Sequence, residues 1–91
     1  MNTILIPIQL RKVLGNQESL TLELTSIADL LSQISTRYPE ARGRLINEET
    51  GEVNKFVNFY VNGEDIRFLN FSNTVVKDGD EISIVPALAG G

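Results

Sequence analysis

The order of elements written into this 91-residue chain predicts an α+β fold, a mixed β-sheet with one main helix packed across one face. Three observations carry that reading. Aliphatic residues alternate in two runs near the start, a run at helical spacing follows a capping signal, and two further alternating runs precede the C-terminus.

Ile4, Ile6, Ile8 and Leu10 alternate with Thr3, Leu5, Pro7 and Gln9, which predicts a first strand over residues 3–10 with those four aliphatics on one face. Pro7 lacks an N–H, so the strand must expose it at an edge or bulge, or end early. Residues 11–19, with Gly15-Asn16, form a connection. Leu20, Leu22 and Leu24 then alternate with Thr21, Glu23 and Thr25 as the second strand of an antiparallel hairpin.

The period then changes. Ile27, Leu30, Leu31, Ile34 and Tyr38 recur at helical spacing, with Ser26 and Asp29 as a start signal and Pro39 forcing Tyr38 out of the helix. Residues 40–46 add a short helical turn before a polar loop over 47–54. The next strand places Val57, Phe59 and Val61 on one face and Phe56, Asn58 and Tyr60 on the other, and Asn62-Gly63 supplies a hairpin turn. Ile66 and Phe68 suggest a short further strand. After a turn at Asp78-Gly79-Asp80, Ile82 and Ile84 face inward and Ser83 and Val85 outward in a last strand ending near Pro86.

The predicted organisation is one domain over residues 1–86 and a flexible tail over 87–91. For the first and last strands to lie side by side they must be parallel, joined by the long crossover, because a hairpin cannot link parallel neighbours. That is the ubiquitin-like, or β-grasp, layout. Its helix covers a face made by Ile6, Leu22, Val57, Phe59, Ile82 and Ile84. The opposite face exposes Leu5, Phe56, Tyr60 and Val85, a candidate docking surface, unless Phe56 and Tyr60 pack beneath the 68–71 loop. Arg67 is placed to pair with Asp65 or Glu64.

Composition narrows the function. The chain has no Cys, no His and no Trp, which removes the usual nucleophiles, the near-neutral base and the commonest metal ligands. Its 12 carboxylates form no spaced calcium signature, so no metal or cofactor site is expected on the chain itself and it is not expected to be an enzyme. A net charge of −4, with eight scattered Lys and Arg, argues against nucleic-acid binding. No run approaches the ~20 apolar residues of a membrane span, and the absence of Cys fits a cytoplasmic location.

The candidate reacting group is the C-terminal carboxylate of Gly91. Gly90 and Gly91 have no Cβ, so this end fits a channel too narrow for larger residues. The five residues Ala87, Leu88, Ala89, Gly90 and Gly91 reach about 17 Å when extended, enough to enter a partner's active site while the folded body stays outside. A carboxylate is a poor electrophile, but once adenylated it accepts a sulfur nucleophile and becomes a thiocarboxylate. A chance Gly-Gly ending is expected in about one chain in 200. Coming straight after the last strand of this layout, the ending is specific.

Val85-Pro86-Ala87-Leu88-Ala89-Gly90-Gly91 resembles the terminal motif of the MoaD/ThiS family of ubiquitin-like sulfur carriers, and the element order agrees over the whole chain. Residues 56–68, from Phe56 through Asn62-Gly63 to Phe68, resemble the central segment of the CysO-type carriers of cysteine biosynthesis. The resemblance implies that Gly91 is adenylated and thiocarboxylated by an ATP-dependent, zinc-containing adenylyltransferase and sulfurtransferase of the ubiquitin-activating type. It further implies a sulfur-accepting partner, either a pyridoxal-phosphate cysteine synthase with a metalloprotease that releases the product, or the large subunit of molybdopterin synthase. ATP, zinc and pyridoxal phosphate would sit on those enzymes. Thiazole carriers and modifiers conjugated to lysines share the ending.

Overall fold

A computed structural model of the protein describes residues 1–86. Its elements, in chain order, are β1 (Asn2–Leu5), α1 (Ile8–Arg11), β2 (Ser19–Leu22), α2 (Ile27–Arg37), α3 (Arg42–Leu45), β3 (Val57–Val61), β4 (Glu64–Asp65) and β5 (Glu81–Pro86). The five strands form one sheet in the order β2-β1-β5-β3-β4. β1 and β5 are parallel, with Ile4 opposite Ile82, and every other pairing is antiparallel. This is the mixed β-grasp sheet that the element order predicts, and the crossover between its parallel centre strands carries α2.

The core lies between the sheet and α2. Ile6, Leu22, Val57, Phe59, Ile82 and Ile84 are all buried, as their alternation predicts, and they pack with Ile27, Leu30, Leu31 and Ile34 of α2. Burying each such side chain stabilises the fold by about 1.5–3 kcal/mol. Helix α2 starts where Ser26 Oγ accepts the Asp29 N–H at 3.0 Å. Asp29 answers one residue further out than a capping box requires, accepting the Thr25 N–H at 3.0 Å. The start is also tied sideways, because Ile27 N–H donates to Thr74 C=O at 3.0 Å and Ser26 bridges Val75. Pro39 opens a single 3₁₀ turn, Pro39–Ala41, that leads into α3.

Asn2 is polar yet fully buried in the sheet, and its bonds explain its place. Its amide donates to the carbonyls of Lys77 and Asp80 at 2.7 and 3.1 Å, and its Oδ1 accepts the Leu24 N–H at 3.1 Å. The start of β1 is thereby fastened to both flanking connections.

Three expectations need correction. The first strand stops at Leu5, not Leu10, because Pro7 has no N–H for the ladder and instead leads a one-turn helix, with Leu10 N–H donating to Pro7 C=O at 3.0 Å. Ile8, which period-two counting turns inward, is therefore 74% exposed, whereas Leu10 is buried by the helical turn. The second strand likewise ends at Leu22; Leu24 is buried beyond it, its N–H held by Asn2.

The short strand expected at Ile66 and Phe68 lies two residues earlier, at Glu64–Asp65, and Ile66–Phe68 is a 3₁₀ turn. The cause is Asp65, whose Oδ1 accepts the Arg67 N–H at 2.9 Å and turns the chain away from the ladder. The hairpin before it is as predicted: Asn62 and Gly63 have φ of 50° and 87°, the left-handed pair that a two-residue β-turn requires.

A candidate carrier end and docking face

Two features of the sheet bear on function, the end of β5 and the face away from α2. Ser83 of β5 lies opposite Leu5 of β1, so the parallel pairing ends there. From Ile84 to Pro86 the strand runs on beside β3 alone, with Pro86 opposite Val57. The chain therefore reaches Pro86 beyond the last residue of β1, at the margin of the sheet. Gly91 and the preceding Ala87, Leu88, Ala89 and Gly90 lie outside the described residues.

The register also aligns the outer face. One row crosses all five strands as Ser19, Leu5, Ser83, Tyr60 and Asp65. Leu5 is 39% exposed, Val85 is 40% exposed opposite Asn58, and Tyr60 is half-buried. Phe56, 48% exposed, directly precedes the Val57–Pro86 pair, and the Lys55 ammonium sits 5.2 Å from its ring centre. Phe68 and Phe71 of the 68–71 loop are exposed as well. Ile8, three residues past Leu5 at the start of α1, is exposed too. Counting by twos hid it; Pro7 as a helix leader is the signal that would have found it.

One ion pair fixes the far end of the row. Asp65, nearly buried, accepts Arg67 Nη2 at 2.7 Å and Nε at 3.1 Å, while the guanidinium stays half in water. Those hydrogen bonds hold the Asp65 carboxyl below the usual range against the opposing pull of burial, and they push Arg67 up. Asp80 is also lowered, by the Lys77 N–H and the Asn62 amide, each at 2.9 Å. The N-terminal amine lowers Asp78 in the same way. All three shifts belong to turns that shape the sheet. Among the described residues there is no group of three or more carboxylates suited to a metal ion, and no helix is long and apolar enough to cross a membrane.

Comparison with known proteins matches this geometry to a family. The model of the ThiS family matches residues 4–91. The sulfur carrier protein CysO of Mycobacterium tuberculosis is 37% identical over 90 residues, covering 98% of this chain and 97% of that protein. The crystal structure of the Amycolatopsis orientalis BexX/CysO complex contains a chain with a TM-score of 0.88 and 35% identity, each chain covered completely. Small archaeal modifier protein 3 of Haloferax volcanii is 38% identical over 66 residues, covering 72% of this chain and 70% of that one. With the family model spanning nearly the whole sequence and the β-grasp sheet shared throughout, this chain belongs to the ThiS family of ubiquitin-like sulfur carriers.

Proposed function

We infer that the protein carries sulfur as a thiocarboxylate on Gly91, supplied and consumed by partner enzymes, with cysteine as the most direct destination. The observation that carries this reading is the family match running through residue 91, which takes in Gly90-Gly91, together with a β5 that outruns its parallel neighbour as far as Pro86. Residues 1–86 act as a rigid handle and residues 87–91 as the part that enters the partner's site.

The chemistry balances without any side chain of this protein. A Gly91 carboxylate oxygen attacks the α-phosphorus of ATP on the activating enzyme, an O–P bond forms and pyrophosphate leaves. A sulfur nucleophile then adds to the acyl carbon, a C–S bond forms, the C–O bond breaks and AMP departs. The thiocarboxylate is a soft nucleophile, largely ionised at neutral pH, and no Cys of this chain competes with it. In the cysteine route that sulfur would be delivered to a carbon electrophile on a pyridoxal-phosphate synthase. A shift of the acyl group from sulfur to nitrogen leaves cysteine on the carrier for a metalloprotease to release. ATP, zinc and pyridoxal phosphate belong to those partners, and ATP-dependent activation fits a cytoplasmic setting. Leu5, Phe56, Tyr60 and Val85 serve as the face that docks on them.

Incubation with a cognate activating enzyme, ATP and a sulfur donor is expected to shift the intact mass by one oxygen-to-sulfur exchange. An unchanged mass alongside an active positive-control carrier would overturn the reading. The likeness to an archaeal modifier protein supports a second reading, conjugation to lysines. It predicts ladders on denaturing gels of cell extract that vanish when Gly91 is deleted.

A further inference from the structure

On the opposite side of β3 from β5, a cleft of about 170 Å³ opens between the Asn54-Lys55 turn and the turn that follows β4. Its apolar lining includes Val53, Val57, Ile66 and Phe71, and its polar rim includes Lys55 and Arg67. A cavity of about 150 Å³ admits a benzene-sized group, so this volume suits one branched aliphatic or aromatic side chain.

The cleft wall is built at a cost. Phe71 has a φ of 51°, a left-handed conformation that is a genuine outlier for a bulky side chain, yet it stands 56% exposed. The core therefore does not explain it. A local frame holds it there: Thr74 N–H donates to Phe71 C=O at 3.1 Å, Asn73 N–H to Asn70 C=O at 2.9 Å, and the buried Thr74 hydroxyl accepts the Asn70 N–H at 3.0 Å. Strain held in place at an exposed position points to a role beyond packing.

The rim specifies charge. Arg67 is half-exposed over Asp65, and Lys55 takes part in none of the ion pairs among the described residues, Met1–Asp78, Arg42–Glu48 and Arg67–Asp65. Its neighbour is the Phe56 ring. The rim is thus left with a cation on an otherwise acidic protein. Lys55 and Phe56 also directly precede Val57, the residue paired with Pro86, so a partner that grips the chain beyond Pro86 is already beside the cleft.

We propose that this cleft is a second anchor for a partner protein, receiving an extended segment in which one apolar side chain is flanked by carboxylates. The apolar group fills the space between Phe71 and Ile66, and the carboxylates face Lys55 and the open side of Arg67. The proposal extends the carrier reading, yet it is testable apart from sulfur chemistry.

The probes are two short peptides, acetyl-Glu-Leu-Glu-amide and acetyl-Lys-Leu-Lys-amide, titrated into the full chain while backbone amide shifts are followed. The acidic peptide is expected to give saturable shifts at Val53, Asn54, Ile66, Arg67 and Phe71, and to bind tighter by about two- to fivefold for each charge pair made. Lys55→Glu should erase that preference. Phe71→Gly removes the wall while relieving the positive φ, so it should abolish the shifts without lowering the melting temperature. Absent or unsaturable shifts, equal binding of both peptides, or shifts confined to Leu5, Tyr60 and Val85 would overturn the proposal. Such a failure leaves the mass-shift test of Gly91 untouched, and failure of that test leaves this cleft untouched.

Discussion

The two faces of the same sheet obey different rules. On the inner face Ile4, Phe59 and Ile82 are wholly excluded from water in a continuous apolar layer. On the outer face the row Ser19, Leu5, Ser83, Tyr60 and Asp65 alternates in character, and its apolar members keep a third or more of their surface or are only half covered. The inner face must be dry for the fold to exist. The outer face has no such duty, so its apolar residues are free to serve contact with other proteins.

That contrast sets an order of expected effects. The largest is Phe59→Ala, which removes a fully buried ring from the middle of β3 and should cost about 3–5 kcal/mol, read as a lower midpoint in urea denaturation. A loss below about 1 kcal/mol would mean that the inner face is not the tight layer described.

Next is Asp65, an outer-row residue that is nearly buried and has a structural task, capping the Ile66–Phe68 turn and holding Arg67. Asp65→Asn should cost about 1 kcal/mol at neutral pH. Its pH dependence follows from the lowered carboxyl. The contribution is present above the unfolded pKa of about 3.9 and is lost as pH falls through the lower folded value. Wild type and variant should therefore converge in stability only in acid below about pH 4. Convergence already at neutral pH would contradict the assigned ion pair.

The smallest effect on stability belongs to Leu5→Ser and Val85→Ser, within about 0.5 kcal/mol of wild type for each partly exposed site. Their rate of thiocarboxylation by the activating enzyme should nonetheless fall about tenfold, since desolvated apolar anchors dominate docking. If stability falls and the rate holds, the two faces do not divide the labour as argued.

The inner face was legible because period two maps directly onto burial: Leu20, Leu22, Val57, Phe59, Ile82 and Ile84 alternate in sequence and are buried in the structure. The helix was legible from Ser26, Asp29 and Pro39. Alternation misled at Ile8, where a one-turn helix begins after Pro7, since four residues are too few to separate the two periods. It misled again at Phe68, which is 86% exposed, because a side chain rather than the ladder turns the chain at Asp65. Val13 and Leu14 fell within a stretch taken as a turn, yet Leu14 is fully buried and Val13 packs against the core. The cleft at Phe71 had no signal in sequence, since neither a left-handed φ nor a shared wall between distant turns is written in residue types.

The most direct test of the central claim, that the protein's terminal carboxylate and no side chain is the reacting group, is pyrophosphate release by the activating enzyme with two forms of the chain. One is the natural chain and the other carries Gly91 as a carboxamide. The account predicts carrier-dependent pyrophosphate release with the first and none with the second, although both fold and bind alike. Equal release from the two forms would contradict it.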